Sequence, residues 1–239
     1  MRRVGILGGM GPEATVLILQ KLLAAVPAQD DADHIPVIVD QNPQVPSRIR
    51  HLLEGGGADP APVLAEMARR LVAAGAEALA MPCNTAHHYA PAIRAAVSVP
   101  FLDMIALSVR HARALVPQGQ SAIGILASPA VQKVGLFDAA LAKEGLRAFY
   151  PSTPEAMLAA IRQIKAQGPS AEARQALHDA SQELRARGAL VQMIACTEFS
   201  LIAEAVATDI VAFDTLDLLV TAIVKFAQTN GAEEEQAAS

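Results

Sequence analysis

Short apolar runs alternate with longer stretches of helical periodicity along almost the whole chain. Residues 3–7 form a first apolar run that ends in Gly8-Gly-Met-Gly11 and Pro12. From Ala14 to Val26 the apolar positions recur at helical spacing, so a helix follows the run. Pro12 suits its first position, where the missing N–H has no partner to lose. Ile35–Val39 reads as a second strand ending at Asp40, and Pro36 near its start places it at a sheet edge. No periodicity marks the segment from Gln41 to Asp59, and loops of that length in compact domains are functional or mobile. Asp59 caps a helix from Pro60 to Ala74 that Gly75 stops. Glu77–Met81 is a third strand, His87–Val97 a helix and Val99–Leu102 a short strand.

The pattern then starts again. Helical spacing over 104–115 precedes a strand at Ser121–Leu126, and Ser128-Pro129 caps a helix running on to Lys143. Leu146–Tyr150 is a strand, Thr153 opens a helix ending near Gly168, and Ser170 opens another ending near Gly188. Ala189–Ile194 is a strand, a helix starts at about Glu198, Ile210–Phe213 is the last strand, and Thr215–Gln228 is the last helix. Strands alternating with helices predict an α/β protein with parallel sheets. The repeat predicts two similar lobes, each a parallel sheet flanked by helices, with the active site in the cleft between them. Residues 1–100 plus 208–230 form the expected first lobe and 101–207 the second. Residues 231–239, with three consecutive glutamates and no apolar period, read as a frayed tail.

Composition narrows the function. At 239 residues the chain buries a sizeable core. Its 52% hydrophobic content without tryptophan suits buried parallel strands. A net charge of −5 with no basic block argues against nucleic acid as a partner. No apolar run approaches the ~20 residues of a membrane span, and the run after Arg2 and Arg3 is too short for a signal peptide. The expected partner is a small molecule and the expected location is the cytoplasm, where two cysteines are reactive or buried rather than paired in a disulfide.

Those two cysteines carry the sharpest signal. Cys83 and Cys196 each end an apolar run, and each is followed by a hydroxyl residue and a helical pattern. The carboxyl ends of strands are where open α/β sheets bind ligands. A helix amino end also lowers a thiol's pKa toward a state that exchanges protons near neutrality. Gly9-Met-Gly-Pro-Glu-Ala14 matches G-x-G-x-x-A between a strand and a helix, and Asp40 ends the next strand, so a dinucleotide site is a competing reading. The same turn holds a carboxylate equally well. His87 and His88 are adjacent, point in different directions on a helix and lack the H-E-x-x-H spacing, so no metal site is expected.

Gly8-Gly-Met-Gly-Pro-Glu-Ala-Thr15, Asn42-Pro-Gln-Val-Pro46 with Arg48, Pro82-Cys-Asn-Thr-Ala-His87 and Cys196-Thr-Glu198 together resemble the aspartate/glutamate racemase family, specifically its aspartate-racemase branch. The resemblance runs from Val4 to about Phe226. It implies pseudo-symmetric α/β lobes, a homodimer, and proton transfer at an amino acid's α-carbon without pyridoxal phosphate or any other cofactor. Cys83 and Cys196 match the two catalytic cysteines, one removing the α-proton and the other returning one to the opposite face. Met10, Gly11, Asn42, Gln44, Asn84, Thr85 and Thr197 match positions that line the substrate site or hold its α-carboxylate. Arg48 and Lys165 match the residues that meet the side-chain carboxylate. The chain departs from the family pattern at Ser47, where the loop has Asp, at Asp103, where His follows Phe-Leu, and at Ala195, in place of Gly. The first two departures are expected to change the charge near the pocket.

The function expected is interconversion of L- and D-aspartate, with glutamate as a further substrate. Its competitors are a maleate-type isomerase on the same scaffold, a dinucleotide-dependent oxidoreductase and a non-catalytic binder of acidic amino acids.

Overall fold

A computed structural model describes residues 1–229. The expected tail at 231–239 lies outside the described residues. The first sheet is built from β1 (Val4–Gly8), β2 (Val37–Gln41), β3 (Ala78–Ala80) and β4 (Phe101–Leu102), all parallel, in the order β2-β1-β3-β4. The second contains β5 (Ala122–Ala127), β6 (Arg147–Phe149), β7 (Val191–Ala195) and β8 (Val211–Asp214), also parallel, in the order β6-β5-β7-β8. The two orders are the same, so β1 corresponds to β5 and β3 to β7. In each sheet the chain reverses its direction of winding between the two central strands, the place where such sheets open a crevice at their carboxyl ends.

The central strands have both faces covered. Every residue of β1, β3 and β7 is buried, whereas β2 and β8, at the edges, are partly exposed. The helices α1 (Pro12–Ala25), α2 (Arg48–Leu52), α3 (Ala61–Ala73), α4 (Ala90–Ala96) and α5 (Met104–Leu115) occupy the first half of the chain. They are followed by α6 (Pro129–Lys133), α7 (Asp138–Lys143), α8 (Pro154–Gln167), α9 (Ala171–Ala186) and α10 (Thr215–Gln228). One face of the first sheet packs on α3 and α4 through Leu64, Met67, Leu71 and Ile93. Its other face meets Ile18 and Leu22 of α1 and Leu216, Leu219 and Ile223 of α10. The second sheet is covered by α5 and α7 on one side and by α8 and α9 on the other. Among the described residues, no helix is long and apolar enough to cross a membrane.

Several sequence expectations need correction. The expected helix from Pro129 to Lys143 is two helices, α6 and α7. Gly135, at φ 60°, turns the chain so that the amides of Gly135 and Leu136 close the end of α6 and Phe137 enters the core. The expected helix at His87 begins as a 3-10 turn, Thr85–Tyr89, before α4, whereas the one expected from Glu198 is no α-helix but a 3-10 segment, Phe199–Ala205, interrupted at Ile202. The 41–59 loop holds α2, capped by the Ser47 hydroxyl, which accepts from the Arg50 amide. The 208–230 segment is divided: β8 completes the second sheet, and only α10 returns to the first lobe. The first sheet also extends beyond residue 100, since Phe101–Leu102 pairs with β3.

The start of α10 joins the lobes under the site. Its Thr215 hydroxyl donates to the Ile194 carbonyl of β7 at 3.0 Å and accepts from the Asn84 amide group at 3.0 Å. The preceding Asp214 caps the helix through the Leu216 amide and accepts from Ser200, while its second carboxylate oxygen is buried without a hydrogen-bond partner. Burial pushes the Asp214 carboxyl up to about 6, against the helix-cap hydrogen bond. The folded protein therefore binds this proton more tightly than the unfolded chain, where the carboxyl has its ordinary value of 3.8. The resulting stabilisation is present below the unfolded value and is lost as pH rises through about 6. Asp214→Asn removes this titration, so its melting temperature relative to the parent should rise between about pH 4 and about pH 7. Thermal denaturation at both pH values checks the sign.

Candidate active site

The loops at the carboxyl ends of β1, β3, β5 and β7 surround one cavity of about 390 Å³ between the lobes. From β3 come Cys83 and Thr85, from β7 Cys196 and Glu198, from the loop after β1 Met10, and from the end of β5 Ser128. Both thiols are buried and free of any disulfide. The Thr85 and Ser128 hydroxyls meet across the two lobes at 3.3 Å.

The walls come from two helices. Leu158, Ile161, Arg162 and Lys165 lie at i, i+3, i+4 and i+7 along α8, a spacing that puts all four on one face. Opposite them, Ser47, Arg48, Ile49 and Arg50 line the cavity from α2 and its cap. Two contacts draw this segment onto the second lobe. Arg162 donates to the Glu54 carboxylate at 2.8 Å, and Lys133 donates to the Leu53 carbonyl at 3.3 Å.

The Gly-rich turn is shaped by close approach. At φ 87°, Gly9 lies so near the Asn42 backbone that a β-carbon would come within 2.4 Å of it, and its amide donates to the Thr15 hydroxyl. A β-carbon on Gly11 would stand 2.9 Å from a Glu13 carboxylate oxygen, 3.5 Å from the Lys165 ammonium and 3.6 Å from a Glu198 carboxylate oxygen, so side chains of both signs border this turn. Asp40, the acidic residue of the dinucleotide reading, is held by Arg70 at 2.6 Å. With its acidic residue already paired to an arginine, the dinucleotide reading is disfavoured.

Around Cys196 the electrostatics are specific. The thiol donates to one Glu198 carboxylate oxygen at 3.0 Å, and Lys165 pairs with the other at 2.5 Å. Burial pushes the Cys196 thiol well up, and the Glu198 charge and hydrogen bond add to that, with Lys165 opposing. Burial alone would lower the Lys165 ammonium, but Glu198 outweighs it and the net shift is upward. Cys196 is therefore held as a thiol beside a carboxylate and an ammonium.

The first cysteine is held through its backbone. His87 Nδ1 lies 2.8 Å from the Cys83 carbonyl, and the Met104 amide donates to His87 Nε2 at 3.2 Å. Nε2 therefore accepts and Nδ1 carries the proton that goes to the carbonyl. Burial lowers the His87 pKa and keeps the ring neutral. With both nitrogens engaged, His87 ties the Cys83 turn to the start of α5.

Of the residues anticipated from sequence, Met10, Arg48, Cys83, Thr85, Lys165 and Cys196 line the cavity. Gly11 borders Lys165, since a β-carbon there would be 3.5 Å from its ammonium. The other four are placed elsewhere. The side chain of Asn42 accepts from the Gln44 amide in a local turn, and Gln44 is exposed. Asn84 is buried against Thr215, and Thr197 is buried off the cavity wall. Asp103 is not in the pocket either: it caps α5 and pairs with Arg94 at 2.5 Å. Ser47 does line the cavity. Glu198, Ser128, Arg50 and Arg162 are additions. Only Glu198 carried a sequence signal, through its place in the Cys196-Thr-Glu198 motif.

Two pseudo-equivalent α/β lobes with a buried thiol at matching strand ends define a two-lobed racemase-type enzyme. The chain belongs to the Asp/Glu/hydantoin racemase family, whose sequence profile matches residues 7–223. It is thus an isomerase. The aspartate racemase of Picrophilus torridus is similar at 25% identity over 96% of both chains, with a TM-score of 0.84. An Asp/Glu racemase assigned in Yersinia pestis is similar at 25% identity over 96% of this chain and 100% of that one, with a TM-score of 0.75. The fold is also that of the Francisella tularensis glutamate racemase solved with D-glutamate, at 16% identity over 94% of this chain and 80% of that one, TM-score 0.67.

The Glu198 contact generates a prediction about thiol reactivity. Glu198→Gln keeps an acceptor for Cys196 but removes the charge that disfavours the thiolate. The pH profile of Cys196 alkylation by iodoacetamide, read by peptide mass spectrometry, should move to lower pH. An unmoved profile would mean that the carboxylate does not set this thiol's charge.

Proposed function

We propose that this protein racemises acidic amino acids, aspartate first and glutamate with it, by cofactor-independent two-thiol proton transfer. The observation that carries the reading is that Cys83 and Cys196, at equivalent strand ends of the two lobes, line one cavity. Two separate acid/base groups allow a proton to leave one face of the α-carbon and another to arrive on the opposite face.

In this reading Cys83, as thiolate, takes the α-proton, while Cys196, already a hydrogen-bonded thiol, delivers its proton to the other face. Starting from the opposite enantiomer, the roles exchange, with Cys83 assigned to the D-enantiomer by the family resemblance. The α-carboxylate meets the turn after Cys83, where the Thr85 hydroxyl, now paired with Ser128, is the nearest side-chain donor. Arg48 takes the side-chain carboxylate. It already donates from Nη1 to the Val45 and Pro46 carbonyls, while its Nε is buried without a partner. Lys165 adds positive charge beside the same site.

The protein, stripped of metal and cofactors, should convert L-aspartate to the racemate in D₂O with deuterium entering at the α-carbon, as followed by proton NMR and optical rotation. Cys83→Ser and Cys196→Ser should each lower the rate by at least about 100-fold. A fully active single variant would remove that cysteine from the mechanism, and absence of exchange with reduced thiols would end the acidic amino-acid reading. The racemase is further proposed to act as a cytoplasmic homodimer. Sedimentation at several concentrations should give twice the chain mass, and a monomer throughout would refute that assembly.

A further inference from the structure

Six charged side chains line the cavity, and four of them neutralise one another. Arg162 pairs with Glu54 at 2.8 Å, and Lys165 pairs with Glu198 at 2.5 Å. Arg48 and Arg50 remain. Arg48 is half-buried and turned partly onto its own loop through Val45 and Pro46. Arg50 stands two residues further along α2, exposed at the mouth of the cavity. Among the described residues its guanidinium has no hydrogen bond or ion pair, although its backbone amide is held by the Ser47 hydroxyl.

The two arginines thus line one cavity but differ in exposure, Arg50 standing nearer to solvent. The apolar side chains of Ile49, Leu158 and Ile161 line the same cavity. The cavity, at about 390 Å³, falls in the range of about 300–1,000 Å³ that encloses drug-sized ligands, and aspartate is far smaller than those. A carboxylate on a short side chain stays near Arg48. One carried further by additional methylenes passes along the apolar wall toward Arg50, where a planar guanidinium offers paired donors in the geometry a carboxylate accepts.

We infer that Arg50 is a specificity-determining residue that receives the distal carboxylate of acidic amino acids longer than aspartate, extending the substrate class to glutamate and its homologue 2-aminoadipate. This rests on the racemase reading of the same cavity. Lys165, occupied by Glu198, contributes to the charge of the Cys196 surroundings more than to side-chain length selection. The Ser47 departure fits this arrangement, because an aspartate at that position would place a carboxylate within three residues of Arg50 on the same wall.

The test compares kcat/KM for L-aspartate, L-glutamate and L-2-aminoadipate in the parent protein, Arg50→Leu and Arg50→Lys. All three substrates should be racemised by the parent. Arg50→Leu should lower kcat/KM for the two longer substrates about tenfold or more, through KM, with a much smaller loss for aspartate. Arg50→Lys should recover part of the loss, because the charge returns without the paired donors. If the parent racemises aspartate but neither longer acid, or if Arg50→Leu lowers all three equally, the assignment of Arg50 is overturned while the racemase reading stands. A parent inert toward all three removes both.

Discussion

A parallel strand with both faces buried can offer chemistry only at its ends. This constraint organises the protein. Every residue of β1, β3 and β7 is covered by helices, so the reactive groups that follow them emerge together at the carboxyl edges. Because the two sheets share one strand order, each lobe places a cysteine after its third strand in sequence, and the lobes face those ends toward each other. The junction is fastened beneath the site by Thr215, which holds Asn84 from one lobe and the Ile194 carbonyl from the other.

Low exposure then makes the charges matter. A carboxylate beside a buried thiol would be strongly unfavourable alone, and Lys165 offsets it by pairing with the far oxygen of Glu198. The outcome is an asymmetric pair of cysteines in an otherwise pseudo-symmetric frame. Cys196 is held by side-chain charge, whereas Cys83 is positioned through its carbonyl by neutral His87. Symmetric backbones thus carry unequal electrostatics, which suits a reaction needing one acid and one base at any moment.

Most of the frame was legible in sequence. Apolar runs of strand length with intervening helical periods marked all eight strands, and the terminal helix has the expected bounds, Thr215–Gln228. The errors fall where local pattern and tertiary packing disagree. Helical periodicity continues through 129–143, yet burial of Phe137 and the positive φ of Gly135 break the helix there. The 41–59 segment is too short in period for its α2 to be read, since five residues make little more than one turn. Strand β8 was given to the wrong lobe because sequence order says nothing about which sheet edge is open to receive a strand.

The sequence by itself determined the alternation of strands and helices, the two thiols at strand-to-helix turns and the family, because these depend on local residue type and spacing. Only the tertiary structure decided which polar side chains reach the cavity. Asn84 and Asp103 were taken by structural hydrogen bonds, while Glu198, Ser128 and Arg50 were delivered to the wall. The physical reason is that a side chain's partners are set by what the fold brings within about 3 Å, and a polar group's role follows from whether a neighbour has already satisfied it.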